Sequence, residues 1–281
     1  MSQSSALLYA AMEATLTVAG QPYEQKCPDF TLISRRDAVA KYLEFQIGNI
    51  QAPEAGVYSG LIQPGDEVSL SWGLEEDVVT VFSGQVRDVN DAKTVRVWAT
   101  DAGANLLTAR TVTNTRGEIT SQIIKRLAAE AGMNPARVST RFDVAWPHWV
   151  ATGETIQEAL LKSKTALAEQ WGRDVDTLRW WTDGEGRFHW APWEDETNGR
   201  NDCRKDLALA NKVNIIELEA PKAGGELGRV VIHPWPYFDH SMMVSIADST
   251  LAKISGSYRI EEVRHIQRGF KARTVLFFRE V

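Results

Sequence analysis

The sequence predicts a mainly β chain with an α+β insert: two tandem β-barrel domains flanking a helix–helix–hairpin region. Three observations predict it. Residues 5–110 read mostly as strands, with apolar and polar residues alternating. Two stripes at helical spacing and a Trp-rich hairpin fill the middle of the chain. Strand-like segments then return after about residue 201. The expected division is residues 1–113 as a first β-barrel domain, 114–200 as an α/β insert and 201–281 as a second β-barrel domain.

The elements follow in order. "DEVSLSW" places Val68, Leu70 and Trp72 on one face, and Pro64-Gly65-Asp66 before it is a turn signal. "DVVTVFSGQVRDV" follows the acidic tip Glu75-Glu76-Asp77, as in a hairpin. Gly84 within it predicts a bulge or sharp bend, which small barrels need at corners. "TVRVWATD" is a third strand, with Val95, Val97 and Ala99 on one side. In "GEITSQIIKRLAAEAGMNP", Ile119, Ile123, Leu127 and Ala131 repeat at spacing four, and Gly132 with Pro135 ends the helix. "GETIQEALLKSKTALAEQWG" is a second helix, with Ile156, Leu160, Leu167 and Trp171 on one stripe and Gly172 at its end. "LRWWTDGEGRFHWAPW" is a hairpin turning at Asp183-Gly184. A polar stretch from about residue 196 reads as a linker. Strands resume at "VNIIELEA", "GRVVIHPW", "MMVSIAD" and in the closing segment "GSYRIEEVRHIQRGFKARTVLFFREV".

That closing segment carries a parity conflict. Tyr258 and Ile260 share one face, while Val263 and His265 continue an apolar face in the opposite phase. A one-residue slip flips every side chain, so a bulge near Glu261-Glu262 reconciles the two runs. His265 then lies beside Val263 and faces the barrel interior, neutral and hydrogen-bonded.

Composition bounds the function classes. The chain has 281 residues, 43% hydrophobic and 24% charged, which allows a real core and argues against disorder. Its two cysteines, Cys27 and Cys203, form no CxxC pattern, which disfavours a disulfide scaffold or a cysteine-rich metal site. The opening stretch lacks a basic region and is interrupted by Glu13, so it reads as a helix or strand rather than a signal peptide. No apolar run is long enough for a membrane span. The net charge of −6 is uneven: −6 over residues 1–113, −2 over 114–200 and +2 over 201–281. An acidic first third disfavours tight, sequence-independent nucleic-acid binding and suits a surface that nucleic acid passes without sticking.

His233, Asp239 and His240, with Asp248 and His265 downstream, could bind a divalent ion. They lack any recognised ligand spacing, and Pro234 and Pro236 favour an extended structural or interface loop. Asp183 and Glu185, or Glu194 and Glu196, could act as a glycosidase pair, but carboxylates this common pair by chance. Cys27 and Cys203 carry no nucleophile motif, and there is no GxSxG or phosphate-binding glycine loop. Trp146, Trp149, Trp171, Trp180, Trp181, Trp190 and Trp193 cluster in the insert, as core or interface anchors first and sugar platforms second. Arg268, Lys271 and Arg273 form a basic loop: a solvated turn, or a salt bridge to an acidic neighbouring subunit. The expectation is no catalytic residue, no metal site and no cofactor.

Three stretches resemble one family. They are "PGDEVSLSWGLEEDVVTVFSGQVRDVN", "TSQIIKRLAAEAGM" directly after the first barrel, and the closing strands with their histidine. Together, in this order, they are similar to the tail hub proteins of bacteriophages, the late control protein D family and Mu-type baseplate hubs. The same fold opens the spike proteins of type VI secretion. The resemblance implies a homotrimer whose six barrels form a hollow ring between a sixfold tail tube and a threefold tip. It implies as partners a tail tube or distal tail protein, tail tip, spike or fibre proteins, and the tape measure protein. DNA would pass through the lumen without specific binding, and the protein would be made in the host cytoplasm and reside in the virion tail tip or baseplate. The alternative is a tail-associated cell-wall-degrading or glycan-binding protein; a secretion-system spike fragment is a third reading.

Overall fold

The structure is a computed structural model. It describes residues 12–22, 28–36, 38–48, 62–74, 77–91, 94–183, 185–192, 208–210, 214–221, 226–240, 242–247 and 256–280. Cys27, Trp193, Glu194, Glu196, Cys203 and Asp248, and with them the linker after residue 196, lie outside these. The chain divides into two compact units, residues 1–100 with 201–281, and residues 101–200.

The first unit is built on a curled antiparallel sheet. Its strands are β1 (Met12–Val18), β2 (Gln21–Pro22), β3 (Asp29–Arg35), β4 (Tyr42–Gly48), β5 (Glu67–Leu74), β6 (Asp77–Asp91) and β7 (Thr94–Asp101). The C-terminal stretch adds β13 (Ala208–Ala210), β14 (Ile215–Glu219), β15 (Gly228–Ile232), β16 (Met243–Ala247), β17 (Gly256–Arg268) and β18 (Lys271–Glu280), numbering β8 to β12 being kept for the insert. All the strands expected from alternation are present. Val68, Leu70 and Trp72 are buried on one face, as are Val95, Val97 and Ala99. The Pro64-Gly65 turn is closed by Asp66, whose carboxylate accepts the Gln63 N–H at 2.7 Å.

Strand order runs β14-β15-β18-β17-β3-β4-β7-β6-β5-β1-β2, with β16 also on β17 and β13 on β16. β17 is the junction. β18 follows one edge of it over nearly its whole length. On the other edge, Gly256–Arg259 pair with β16 and Glu262–Gln267 pair with β3. A strand of the last 80 residues is thus laddered directly onto one of the first 100.

Two hydrophobic clusters fill this unit. One gathers Leu16, Leu32, Phe45, Trp72, Phe82 and Val97 with Ala272 of β18. The other gathers Leu209, Val230, Ile246, Tyr258, Ile260, Leu276 and Phe278.

The sequence predicts a bulge or sharp bend at Gly84, but the register there is unbroken, and what requires glycine is a close approach. A Cβ there would meet the Thr100 carbonyl oxygen at 2.2 Å and the Phe82 ring at 2.7 Å, so β6 and β7 approach too closely for any side chain. The register slip in β6 itself falls nearby, at the pairing step between Leu70 and Ser71. Gly84→Ala is expected to lower stability by about 1–3 kcal/mol, seen as a lower urea midpoint at unchanged m-value.

The second unit holds α1 (Asn105–Thr108), β8 (Arg110–Thr115), α2 (Thr120–Glu130), β9 (Pro135–Val138), β10 (Trp149–Thr155), α3 (Ile156–Trp171), β11 (Leu178–Thr182) and β12 (Phe188–Pro192). α2 starts one residue later than its periodicity implies, because Ile119 takes the extended cap position. α3 begins with a Thr155/Glu158 capping box and ends at Gly172 with φ +58°, a conformation that favours glycine. The β11–β12 hairpin is present, but its connection spans residues 183–187 rather than the two-residue Asp-Gly turn. Asp183 organises it: its N–H donates to the Arg187 carbonyl, and its carbonyl accepts the Gly186 N–H. β8 pairs antiparallel with β10, and β9 lies parallel beside β12. β8 and β9 are short and bury few side chains, so they carry no strong periodic signal in the sequence.

Candidate functional site: a buried polar seam

Of the polar residues near the end of the chain, Asp239, His240 and His265 meet around one seam, where residues from β3 and Lys41 contact β17, β18 and residues 235–240. The bulge expected at Glu261-Glu262 is there, as a register slip between Ile260 and Glu262. It falls where the edge of β17 passes from β16 to β3. A strand that serves two partners in succession must change face, and one extra residue does so. Tyr258 and Ile260 are therefore buried before the bulge, and Val263, His265 and Gln267 after it.

Glu261, the extra residue, anchors the corner. Its carboxylate takes Arg259 at 2.9 Å, Arg279 at 3.1 Å and Arg36 at 3.3 Å. Its carbonyl accepts the Arg36 N–H at 2.8 Å. One carboxylate thus ties β17 and β18 to the end of β3. Glu262 beside it pairs with Arg35 and Arg264.

His265 is 3% exposed. One ring nitrogen, Nε2, lies 3.1 Å from the Phe238 carbonyl and so carries the proton; Nδ1 is 3.1 Å from the Thr274 hydroxyl. The Thr274 Oγ1 also accepts the Trp235 N–H at 3.0 Å. Burial holds the imidazole pKa down at about 4, against smaller opposing contributions from the Phe238 carbonyl and Asp239. The ring packs on Trp72 of β5 at 5.0 Å between centroids, and Trp72 Nε1 donates to Gln267 at 2.8 Å. His265 is neutral, hydrogen-bonded and interior, as its phase in the strand predicts.

Asp239 is the other fixed point. Lys41 Nζ approaches its Oδ2 at 2.5 Å, with both side chains almost wholly buried. Its Oδ1 accepts the Ser34 hydroxyl and, at 2.9 Å, the His240 N–H. His240 is buried alongside; burial, with Lys41 and Arg36, pushes its pKa below the usual range. The His233 N–H donates to the Asn214 carbonyl at 3.3 Å. Among the described residues, no three His, Cys, Asp or Glu side chains converge as a metal site would require. The contacts of Glu261, Asp239 and His265 fasten residues 235–240 and the last two strands to Ser34, Arg36 and Lys41, beside and within β3 and β4.

Lys41, Ser34 and Thr274 were not singled out in the sequence, yet each carries a signal. Lys41 shares the inward phase of Leu43, Phe45 and Ile47; Ser34 shares that of Phe30 and Leu32; Thr274 shares that of Ala272 and Leu276. A polar residue in core phase must find a buried partner.

In the insert, both Asp183 oxygens are occupied. Oδ2 takes Arg187 Nε at 2.8 Å and His189 Nε2 at 3.0 Å, and Oδ1 takes the N–H groups of Glu185 and Arg187 at 3.0 Å each. Burial opposes the charge, but these bonds outweigh it and hold the carboxyl well below its ordinary range. Glu185 is exposed and pairs with Arg187 at 3.1 Å. The two acids share an arginine across a turn rather than facing a cleft. The tryptophans pack within the unit: Trp146 on Trp171 at 4.5 Å, Trp180 stacked on Trp190 at 5.4 Å and Trp181 stacked on His189 at 5.0 Å. Trp149 donates to Ser163 at 3.1 Å.

Comparison with known proteins gives one kind of answer. No family model matches the chain, and no curated protein matches it in sequence. Solved structures do match. The 43 kDa tail protein of prophage MuSo2 from Shewanella oneidensis has a TM-score of 0.69 at 12% identity, over 96% of this chain and 98% of that one. A tail protein from Neisseria meningitidis MC58 has a TM-score of 0.67 at 13% identity, over 96% and 97%. The E. coli c3393 protein is a type VI secretion component described as structurally similar to T4 bacteriophage tail proteins gp27 and gp5. It has a TM-score of 0.59 at 11% identity, over 95% and 76%. At these identities what is shared is architecture, and the chain, mainly β with an α+β insert, has the fold of these phage tail and secretion-spike proteins.

Proposed function

We propose that this chain is a structural hub subunit of a phage tail or baseplate. Three copies form a ring that adapts a sixfold tail tube to a threefold tip or spike, and DNA passes through its opening. The β parts within residues 1–113 and 201–281 supply the two barrels of each copy, and the unit between them, from about residue 101 to 200, is the insert. A tail tube or distal tail protein, tip or fibre proteins and the tape measure protein are its partners, and the virion tail tip is its location.

The observation that carries this reading is coverage. The likeness runs over 96% of this chain and 98% of the Shewanella tail protein, so it concerns whole chains and not one portable module. The seam supports it. A ring subunit that transmits load between unlike partners needs its two β parts to move as one body. A shared ladder of β3 on β17, with a buried ion pair beside it, supplies that. No catalytic role is assigned: the carboxylates considered for glycan cleavage, where described, are bound within their own hairpin.

Light scattering coupled to size exclusion, followed by electron microscopy of the peak, tests the reading. A threefold ring with an open centre is expected. A single-copy mass at every concentration sinks the ring, and peptidoglycan hydrolysis abolished by Glu185→Gln replaces the hub with the wall-degrading alternative.

A further inference from the structure

The last hairpin leaves one part of its surface unused by the seam. β17 and β18 join through Gly269 and Phe270, with Arg268 paired to Lys271. Phe270 is 84% exposed, the most exposed of the large apolar side chains described. Beside it lies a pocket of about 460 Å³ lined by Ile216, Val231, Arg268, Lys271, Ala272 and Arg273. Ile216 is the extra residue at a second bulge, between Ile215 and Glu217 of β14, and is 45% exposed because that bulge turns it outward. The lining is three cations over an apolar floor, with no acid among them.

The hairpin root is held rigidly. Arg268 donates to the Phe30 carbonyl and to Thr31, each at 3.0 Å, and Asp29 accepts the Gly269 N–H at 2.6 Å. These contacts occupy Asp29 and Arg268. The side chains of Lys271 and Arg273, both exposed, make no ion pair or hydrogen bond among the described residues. A positively charged pocket with the exposed Phe270 next in the chain to Lys271 of its lining fits a partner surface that offers carboxylates around an apolar contact.

We propose that this pocket receives the acidic first β part of a second copy of the chain. The inference rests on the ring reading. A ring of identical copies closes through two unlike patches that complement each other. The sequence is divided in that way: the stretch 201–281 carries +2 and the stretch 1–113 carries −6. Within the acidic part, Glu13 of β1 and Asp77 of β6, whose Oδ1 accepts the Tyr237 hydroxyl, are exposed and lie one register step apart across β5, through Leu74 and Gly73. Phe270 supplies the apolar contact, and Lys271 and Arg273 the charges that fix its partner and register.

The test is sedimentation velocity of the full chain over a range of concentrations, at low and high salt, about 0.05 and 0.5 M, which brackets strong and weak screening. Three proteins are compared: wild type, Lys271→Glu/Arg273→Glu, and Phe270→Ser. Phe270 lies in the turn, and Lys271 and Arg273 are exposed at the start of β18, so circular dichroism and the urea midpoint should match wild type. Wild-type association should weaken with salt. The charge-reversed protein should associate at least about tenfold more weakly and lose most of that salt dependence. Phe270→Ser should weaken association while keeping the salt dependence. Variants that assemble as wild type does overturn the pocket and leave the ring standing. A wild-type chain that is monomeric throughout overturns both.

Discussion

Lys41→Ala is expected to cost about 3–5 kcal/mol of folding stability, because it strands the Asp239 carboxylate in a buried site. Lys41 and Asp239 lie 198 positions apart, at 8% and 13% side-chain exposure, with 2.5 Å between Nζ and Oδ2. An exposed pair of the same geometry would contribute no more than about 1 kcal/mol. The difference is desolvation: Asp239 keeps the Ser34 hydroxyl and the His240 N–H, which stabilise its charge only in part. Neutralising both partners tests that account. Lys41→Met/Asp239→Asn retains an acceptor for Ser34 and His240 and leaves no buried charge. It should recover at least about 1 kcal/mol relative to Lys41→Ala, a non-additive result expected for groups in contact. Urea unfolding at neutral pH reads all three. A cost below about 1 kcal/mol for Lys41→Ala would show that water reaches the pair and that the seam is not what joins the two β parts.

Much of this architecture is legible in sequence because it depends on phase. Val68, Leu70 and Trp72 alternate, and the strand is there; Ile156, Leu160 and Leu167 recur at helical spacing, and the helix is there. The bulge at Glu261 was readable for the same reason, since two apolar runs in opposite phase admit one physical reconciliation. Partner choice was not readable. Nothing near Glu262–Gln267 indicates that these residues pair with Phe30–Arg35, more than 200 positions earlier. Ladder hydrogen bonds are the same whichever strand supplies them, so partner identity is decided by packing that local sequence does not encode. The seam falls between these cases. The phase of His265 alone marks it as interior and neutral. Asp239 is one of several acids near histidines in the sequence, and its partners Lys41 and Ser34 show there only as polar residues on apolar faces. Short polar strands such as Arg110–Thr115 gave no periodic signal because they bury little.

The histidine at the seam makes stability depend on pH in a defined window. In the unfolded chain an imidazole titrates near its ordinary pKa of about 6.5. In the folded protein, burial lowers that of His265 to about 4. The folded-state value is depressed, so between these limits the unfolded state binds more protons than the folded one, and stability falls as pH falls. The contribution is complete above about pH 6.5, declines through the interval and is gone below about pH 4, where both states are charged. A shift of this size corresponds to roughly 3 kcal/mol. His240, also buried and shifted downward, acts in the same direction. The depressed carboxylates Asp183 and Glu154 act in that direction too from about pH 5 downward, because their unfolded-state titration is centred near 4. From about pH 6.5 to about pH 4, the difference between wild type and a protein that lacks the His265 imidazole therefore isolates its contribution. His265→Gln keeps a donor for the Phe238 carbonyl and an acceptor for the Thr274 hydroxyl but cannot titrate. Its urea-unfolding free energy should fall by roughly 3 kcal/mol less than that of wild type between those two pH values, whatever its stability at neutral pH. An identical slope in the two proteins would mean that water reaches the ring. The packing of His265 against Trp72, and with it the closure of the first core by the last strands, would then be wrong.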